Sequence, residues 1–152
     1  MSRASNPLVA LLQDCLRAAN FRRTGKTWSF ADDEVVQLVN LQKSQWGNQY
    51  YINFAIWLKA LGQPPKDLKE HQCHMRLRVS GLVEDDALLK QALDLENQLD
   101  DRTRSEALKS ILCGTLMPFA LACRTVDGLR EVYREGRLKG MIAKDVRDLL
   151  DS

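Results

Sequence analysis

Few residues in this chain have the type and spacing to do chemistry. His71, Cys73 and His74 of "HQCH" form the one candidate metal cluster. A structural zinc site needs four ligands in a tetrahedron, and no second group in the sequence supplies the missing ones. Along a strand, His71 and Cys73 also share one face while His74 points to the other. The pattern therefore places Cys73 in the core, and no metal or other cofactor is expected. A Cys–His nucleophile built on Cys73 or Cys15 lacks the strained turn or helix start that would mark it. "REGRLKG", residues 134–140, is too poor in glycine for a phosphate loop and reads as a solvated helix end. Asp85, Asp86, Asp100 and Asp101 fall at expected helix starts, where the dipole favours acids without any catalytic role. No catalytic constellation emerges, and the reading leans away from an enzyme.

Recognition chemistry is better represented. In "NLQKSQW", residues 40–46, Asn40 and Gln42 interrupt a run that begins with Val35, Val36, Leu38 and Val39. Amides at alternate strand positions imply either a polar network or a binding surface. Two later segments show the same division. "YYINFAIWLK" sets Tyr50, Ile52, Phe54, Ile56 and Leu58 on one face, with Tyr51, Asn53, Ala55 and Trp57 on the other. "CHMRLRVSG" sets Cys73, Met75, Leu77 and Val79 against His74, Arg76, Arg78 and Ser80.

If these strands are antiparallel neighbours, Arg78 sits near Asn53 and His74 near Trp57. The preceding hairpin brings Asn40 and Gln42 to Tyr51 and Asn53. The candidate binding residues are thus Asn40, Gln42, Tyr51, Asn53, Trp57, His74, Arg76 and Arg78, and a one-residue slip would scatter them. Amides both donate and accept, arginine offers a planar fork for carboxylate or phosphate, and the aromatic rings offer stacking surfaces. Two alternatives stay open: a site for a partner or small molecule, or a structural network beneath a terminal helix. Lys43 has the opposite parity, and Trp46 reads as a cap on the hairpin.

The elements that must position these residues are legible. Asn6 is a good N-cap and Pro7 suits the first position of a helix carrying Leu8, Leu11, Leu12, Cys15 and Leu16. Asn20 can take the left-handed conformation that ends it, with Phe21 packing back. The period then changes to two: "KTWSFA", "EVVQLVNLQKS", "YYINFAIWLK" and "CHMRLRVSG" read as four strands. Without intervening helices they imply an antiparallel meander. From Glu84 the pattern is helical. Leu88, Ala92, Leu95 and Leu99 mark one helix, and Thr103 with Glu106 has capping-box spacing for the next. Pro118 should end or kink that helix, and Thr125 can cap another through Tyr133, before a last helix near Leu150.

The expected fold is therefore α+β: an N-terminal helix, a four-stranded antiparallel meander, and three to four C-terminal helices packed mainly on one face. At 152 residues it reads as one domain over residues 1–152, with residues 1–5 disordered. Hydrophobic residues at 45% and charged residues at 28% are those of a globular chain. Residues 1–80 carry 11 basic and 6 acidic side chains, while residues 81–152 carry 11 and 14. That bias is compatible with nucleic acid or an acidic partner, yet there is no dense basic stripe. The N-terminal apolar run is too short for a secretory signal, and no segment approaches the roughly 20 apolar residues of a membrane span. Four scattered cysteines without CxxC spacing suit a cytoplasmic protein.

Taken together, "VVQLVNLQKSQW", "YYINFAIW", "HMRLR" and "MPF" resemble an uncharacterised bacterial family, the domain of unknown function 4304 family. The likeness runs over roughly residues 8–150. Asn20-Phe21 stands where Gly-Phe is expected after the first helix. The resemblance implies a compact bacterial α+β domain and brings no activity or catalytic residue. The sequence thus points to a cytoplasmic interaction module, immunity-type or regulatory, that binds a protein partner through one sheet face. The alternative is a nucleic-acid or nucleotide binder using Arg76, Arg78, Tyr51 and Trp57.

Overall fold

The computed structural model describes residues 6–84, 86–138 and 140–152. The expected disorder of residues 1–5, the helix-start role of Asp85 and the solvated Lys139 lie outside the described residues. Helix α1 spans Pro7–Ala18, and the Asn6 side chain accepts from the Leu8 N–H at 2.8 Å. Its end is a Schellman turn. Asn20 has φ 69°, its N–H bonds Arg17 O, and the N–H of buried Phe21 bonds Leu16 O at 3.0 Å.

One antiparallel sheet follows, with its strands in chain order. They are β1 (Arg22–Thr24), β2 (Thr27–Ala31), β3 (Val35–Lys43), β4 (Tyr50–Leu58), β5 (Met75–Arg78) and β6 (Met141–Ile142). The four expected strands are β2 to β5; two short ones extend the meander. Strand β1 escapes the periodicity because all three of its residues are exposed. Gly25, at φ 64°, supplies the positive φ of its two-residue turn into β2. Strand β6 arrives from the far end of the chain, which no local pattern announces.

The inner face of the sheet carries the core. Trp28, Val39, Phe54 and Leu77 stand opposite one another in one row across β2 to β5. Phe54 meets Phe119 edge-on at 5.8 Å. Each such large apolar side chain contributes roughly 1.5–3 kcal/mol on burial. Cys73 departs from its expected place. Strand β5 begins only at Met75, after a short 3-10 turn over Glu70–Gln72, and Cys73 packs with Leu38 and Ala55 on the outer face. Cys73 is itself extended but follows the turn directly and lies before the first paired residue of β5, so the alternation of the ladder does not carry back to it.

With α1, the helices that build the core over the inner face are α2 (Asp86–Ala92), α3 (Asp101–Ile111), α4 (Met117–Ala122), α5 (Val126–Arg134) and α6 (Lys144–Asp151). Helix α2 stops at Ala92, so Leu95 and Leu99 belong to an irregular segment rather than to its stripe. Its buried residues include Leu89, while Leu88 is exposed. The Thr103–Glu106 capping box is also corrected. Asp100 caps α3 by accepting from the Thr103 N–H at 2.8 Å, and Glu106 pairs with Arg102 instead. A π-turn over Leu112–Leu116 joins α3 to α4 immediately before Pro118. Thr125 caps α5 through the Gly128 N–H. Among the described residues, no single helix is long and apolar enough to cross a membrane.

Candidate functional site

The outer face is built from the side chains of opposite parity. Thr24, Thr27, Asn40, Asn53 and Arg78 stand opposite one another, one from each of β1 to β5. Gln42 and Tyr51 form the next pair, towards the β3–β4 loop. Five of the sequence candidates therefore converge: Asn40, Gln42, Tyr51, Asn53 and Arg78. The register places Asn53 beside Arg78, as the strand pairing implied.

The amides in this group are tied to one another. Asn53 is only 7% exposed, and its Nδ2 donates to Gln42 Oε1 at 2.9 Å and to Asn40 Oδ1 at 3.3 Å. Asn40 Nδ2 in turn donates to Thr27 Oγ1 at 3.0 Å. A buried amide left unpaired costs about 1–3 kcal/mol, so this chain of bonds is what allows Asn53 to sit within a sheet. Thr27 was not among the sequence candidates; its position on the face opposite Trp28 was the available signal.

Arg78 is arranged differently. Its guanidinium carbon lies 4.0 Å from the centre of the Tyr51 ring, and the side chain is exposed. No carboxylate pairs with it among the described residues. The ring of Tyr51 restrains the guanidinium, which lowers the entropy lost when it engages an anion. A hollow of about 380 Å³ opens beside this pair, lined by Ser80, Asp86, Leu89, Lys90 and Leu93 among others; Asp86 forms no ion pair with Arg78.

Trp57, His74 and Arg76 form a separate group with internal duties. Trp57 Nε1 donates to Gly62 O at 2.9 Å, and its ring lies 4.2 Å from that of His74. His74 Nδ1 accepts the Leu58 N–H at 2.9 Å, while its carbonyl accepts the Ala143 N–H. Burial pushes the His74 pKa down, partly opposed by Asp145. Arg76 Nε is paired with Glu70 at 2.6 Å. These three side chains fasten the β4–β5 connection to the sheet.

That connection, not a terminal helix, covers part of the outer face. Leu68 and Cys73 pack on Leu38 and Ala55, with Val36 and Trp57 alongside. Between the loop over residues 64–71 and strands β2 and β3 runs a groove of about 670 Å³, lined by Thr27, Ser29, Leu38, Asn40, Lys66 and Glu70 among others. Trp46 does not cap the hairpin: it is 87% exposed at its tip. His71 is exposed, and Cys73 is buried with its thiol directed at Lys69 O. Among the described residues, no cluster of His, Cys, Asp or Glu could hold a metal ion.

Two polar residues escaped the sequence reading because their partners are remote. Gln37 lies fully buried on the inner face, where Nε2 donates to Ala120 O and Oε1 accepts from Arg124. Arg104 is 5% exposed and donates to four backbone carbonyls, those of Ala92, Asp94, Asn97 and Leu99. Both organise the fold away from the polar sheet face.

No curated protein and no solved structure matches the chain. A family model described as "Domain of unknown function (DUF4304)" matches residues 12–120, a span that contains β1 to β5 and all eight candidate residues. With most of its length matched, the chain belongs to the DUF4304 family.

Proposed function

We propose that this protein is a non-enzymatic interaction module of the bacterial cytoplasm. Its outer sheet face binds a protein partner, with Arg78 engaging a partner carboxylate and Gln42 and Tyr51 forming the adjoining contact surface. One observation carries the reading: Arg78 is exposed, stacked on Tyr51, and without an acidic partner among the described residues, beside a buried amide chain. An exposed guanidinium set against an aromatic ring and held in no ion pair is suited to bidentate carboxylate recognition. An immunity-type or regulatory role fits such a binding module.

The nucleic-acid reading draws less support. It relied on Arg76, Arg78, Tyr51 and Trp57, but Arg76 is neutralised by Glu70 and Trp57 is engaged by Gly62 and His74. One arginine and one tyrosine remain, too few for the multiple phosphate contacts that dominate such binding.

Affinity capture from host lysate with the wild type, Arg78→Ala, Tyr51→Ala and Trp46→Ser tests the proposal. A protein retained by wild type and Trp46→Ser, lost from Arg78→Ala and competed off by an acidic peptide is the expected result. Equal capture by every variant would overturn it. Retention on mixed DNA or RNA at low salt, declining steeply as salt rises, would favour the alternative.

A further inference from the structure

The feature with most chemistry outside the sheet lies between α1 and the π-turn. The Sγ atoms of Cys15 and Cys113 are 3.2 Å apart, although 98 positions separate them in sequence. We propose that Cys15 and Cys113 form an oxidant-reactive dithiol that closes to a disulfide on two-electron oxidation by a peroxide.

The pair is asymmetric in the way such chemistry needs. Cys113 is exposed, while Cys15 is buried at 8% exposure. A hollow of about 420 Å³ opens onto both, lined by Asp14, Ala18, Lys109, Met117 and Leu121 among others. Lys109 lies four positions before Cys113 and lines the hollow, opposite in charge to Asp14. Burial, and then the contact with Cys113, push the Cys15 thiol up to about 12. Either sulfur can donate to the other in this contact. The remaining thiols, Cys73 and Cys123, are buried and supply internal controls.

The backbone at Cys113 also has room to adjust. The π-turn over Leu112–Leu116 closes with the Met117 N–H bonding Leu112 O. Gly114 has nothing within 4 Å of where a Cβ would stand. Pro118 has no N–H to offer the Gly114 carbonyl. The sulfurs must approach from 3.2 Å to about 2 Å, and this segment can supply that shift.

The chemistry balances with the peroxide as oxidant. The Cys113 thiolate attacks one peroxide oxygen, the O–O bond breaks, and Cys113 becomes a sulfenic acid as the other oxygen leaves as hydroxide or alkoxide, which takes up the proton the thiol released. Cys15 sulfur then attacks Cys113 sulfur; the S–S bond forms, the S–O bond breaks, and hydroxide leaves with the Cys15 proton as water. Two thiols are oxidised and one peroxide is reduced.

The test treats the reduced full chain with stoichiometric hydrogen peroxide and follows it by intact mass, peptide mapping and thermal melting. The expected product is monomeric, lighter by about 2 Da, and yields a Cys15–Cys113 linked peptide. Its melting temperature rises by on the order of 10 °C, reversed by dithiothreitol. Cys15→Ser, with Cys15→Ala as a second variant against misfolding, should leave a sulfenic acid on Cys113 that dimedone traps. Absence of the linked peptide in the wild type, or only Cys113–Cys113 dimers, would overturn the proposal. So would dimedone trapping on Cys113 that is equal with and without Cys15.

Discussion

The Arg78 guanidinium lies 4.0 Å from the centre of the Tyr51 ring, with no carboxylate on it among the described residues. Arg76, two residues earlier on the same strand and the same face, is instead closed onto Glu70 at 2.6 Å. The two arginines look alike in sequence, but of the two only Arg76 is held in an ion pair among the described residues.

Arg78→Ala should therefore separate binding from stability. An exposed cation–π contact is worth about 0.5–1 kcal/mol, so urea unfolding should shift by no more than that. Capture of the partner should fall by tenfold or more, as removal of a central arginine does at many interfaces. A variant that unfolds outright would show instead that Arg78 is structural.

Asn53→Ala should behave in the opposite way. It removes the donor that serves both Gln42 and Asn40 from a buried position, at a cost of about 1–3 kcal/mol. Gln42→Ala, at an exposed position, should cost visibly less. Equal midpoints for the two variants in urea would mean that the amide chain carries no stability.

Arg104→Met should be the most damaging of these changes. Four backbone carbonyls lose their donor in one step, and about 3–5 kcal/mol is expected. Arg104→Lys should recover little, because one ammonium cannot span four carbonyls. Urea midpoints of the two variants, with hydrogen exchange over residues 92–99, would check both statements.

His74 gives the protein a specific pH dependence. Its pKa is lowered in the folded state by burial, and Nδ1 holds the Leu58 N–H. Above the ordinary histidine pKa of about 6.5 both states are neutral and its contribution is complete. As pH falls below that value the unfolded chain takes up a proton first, so stability drops until the folded pKa is passed. Urea midpoints between about pH 7.5 and 5 should show this loss, and His74→Gln should remove that part of the slope. Identical slopes in the two proteins would sink the assignment.

The parts of this fold that the sequence determined are those set by near neighbours. A short hairpin brings Asn40 and Gln42 to Asn53 and Tyr51, and alternation puts Arg78 on the face they share, because in an extended chain alternate residues must share a face. The same locality made the Asn6 cap and the Asn20 turn legible. Outside the paired ladder parity has no hold, and Cys73, which lies between the 3-10 turn and β5, sits on the unexpected face. Tertiary structure alone decided which arginine is neutralised, since Glu70 reaches Arg76 only after the β4–β5 loop folds back. It also decided that this loop, rather than a helix, shelters the apolar part of the outer face. Pairings such as Gln37 with Ala120, or Cys15 with Cys113, join segments whose order along the chain says nothing of their contact. They follow from how helices and sheet pack around a shared core, which no short stretch of sequence encodes.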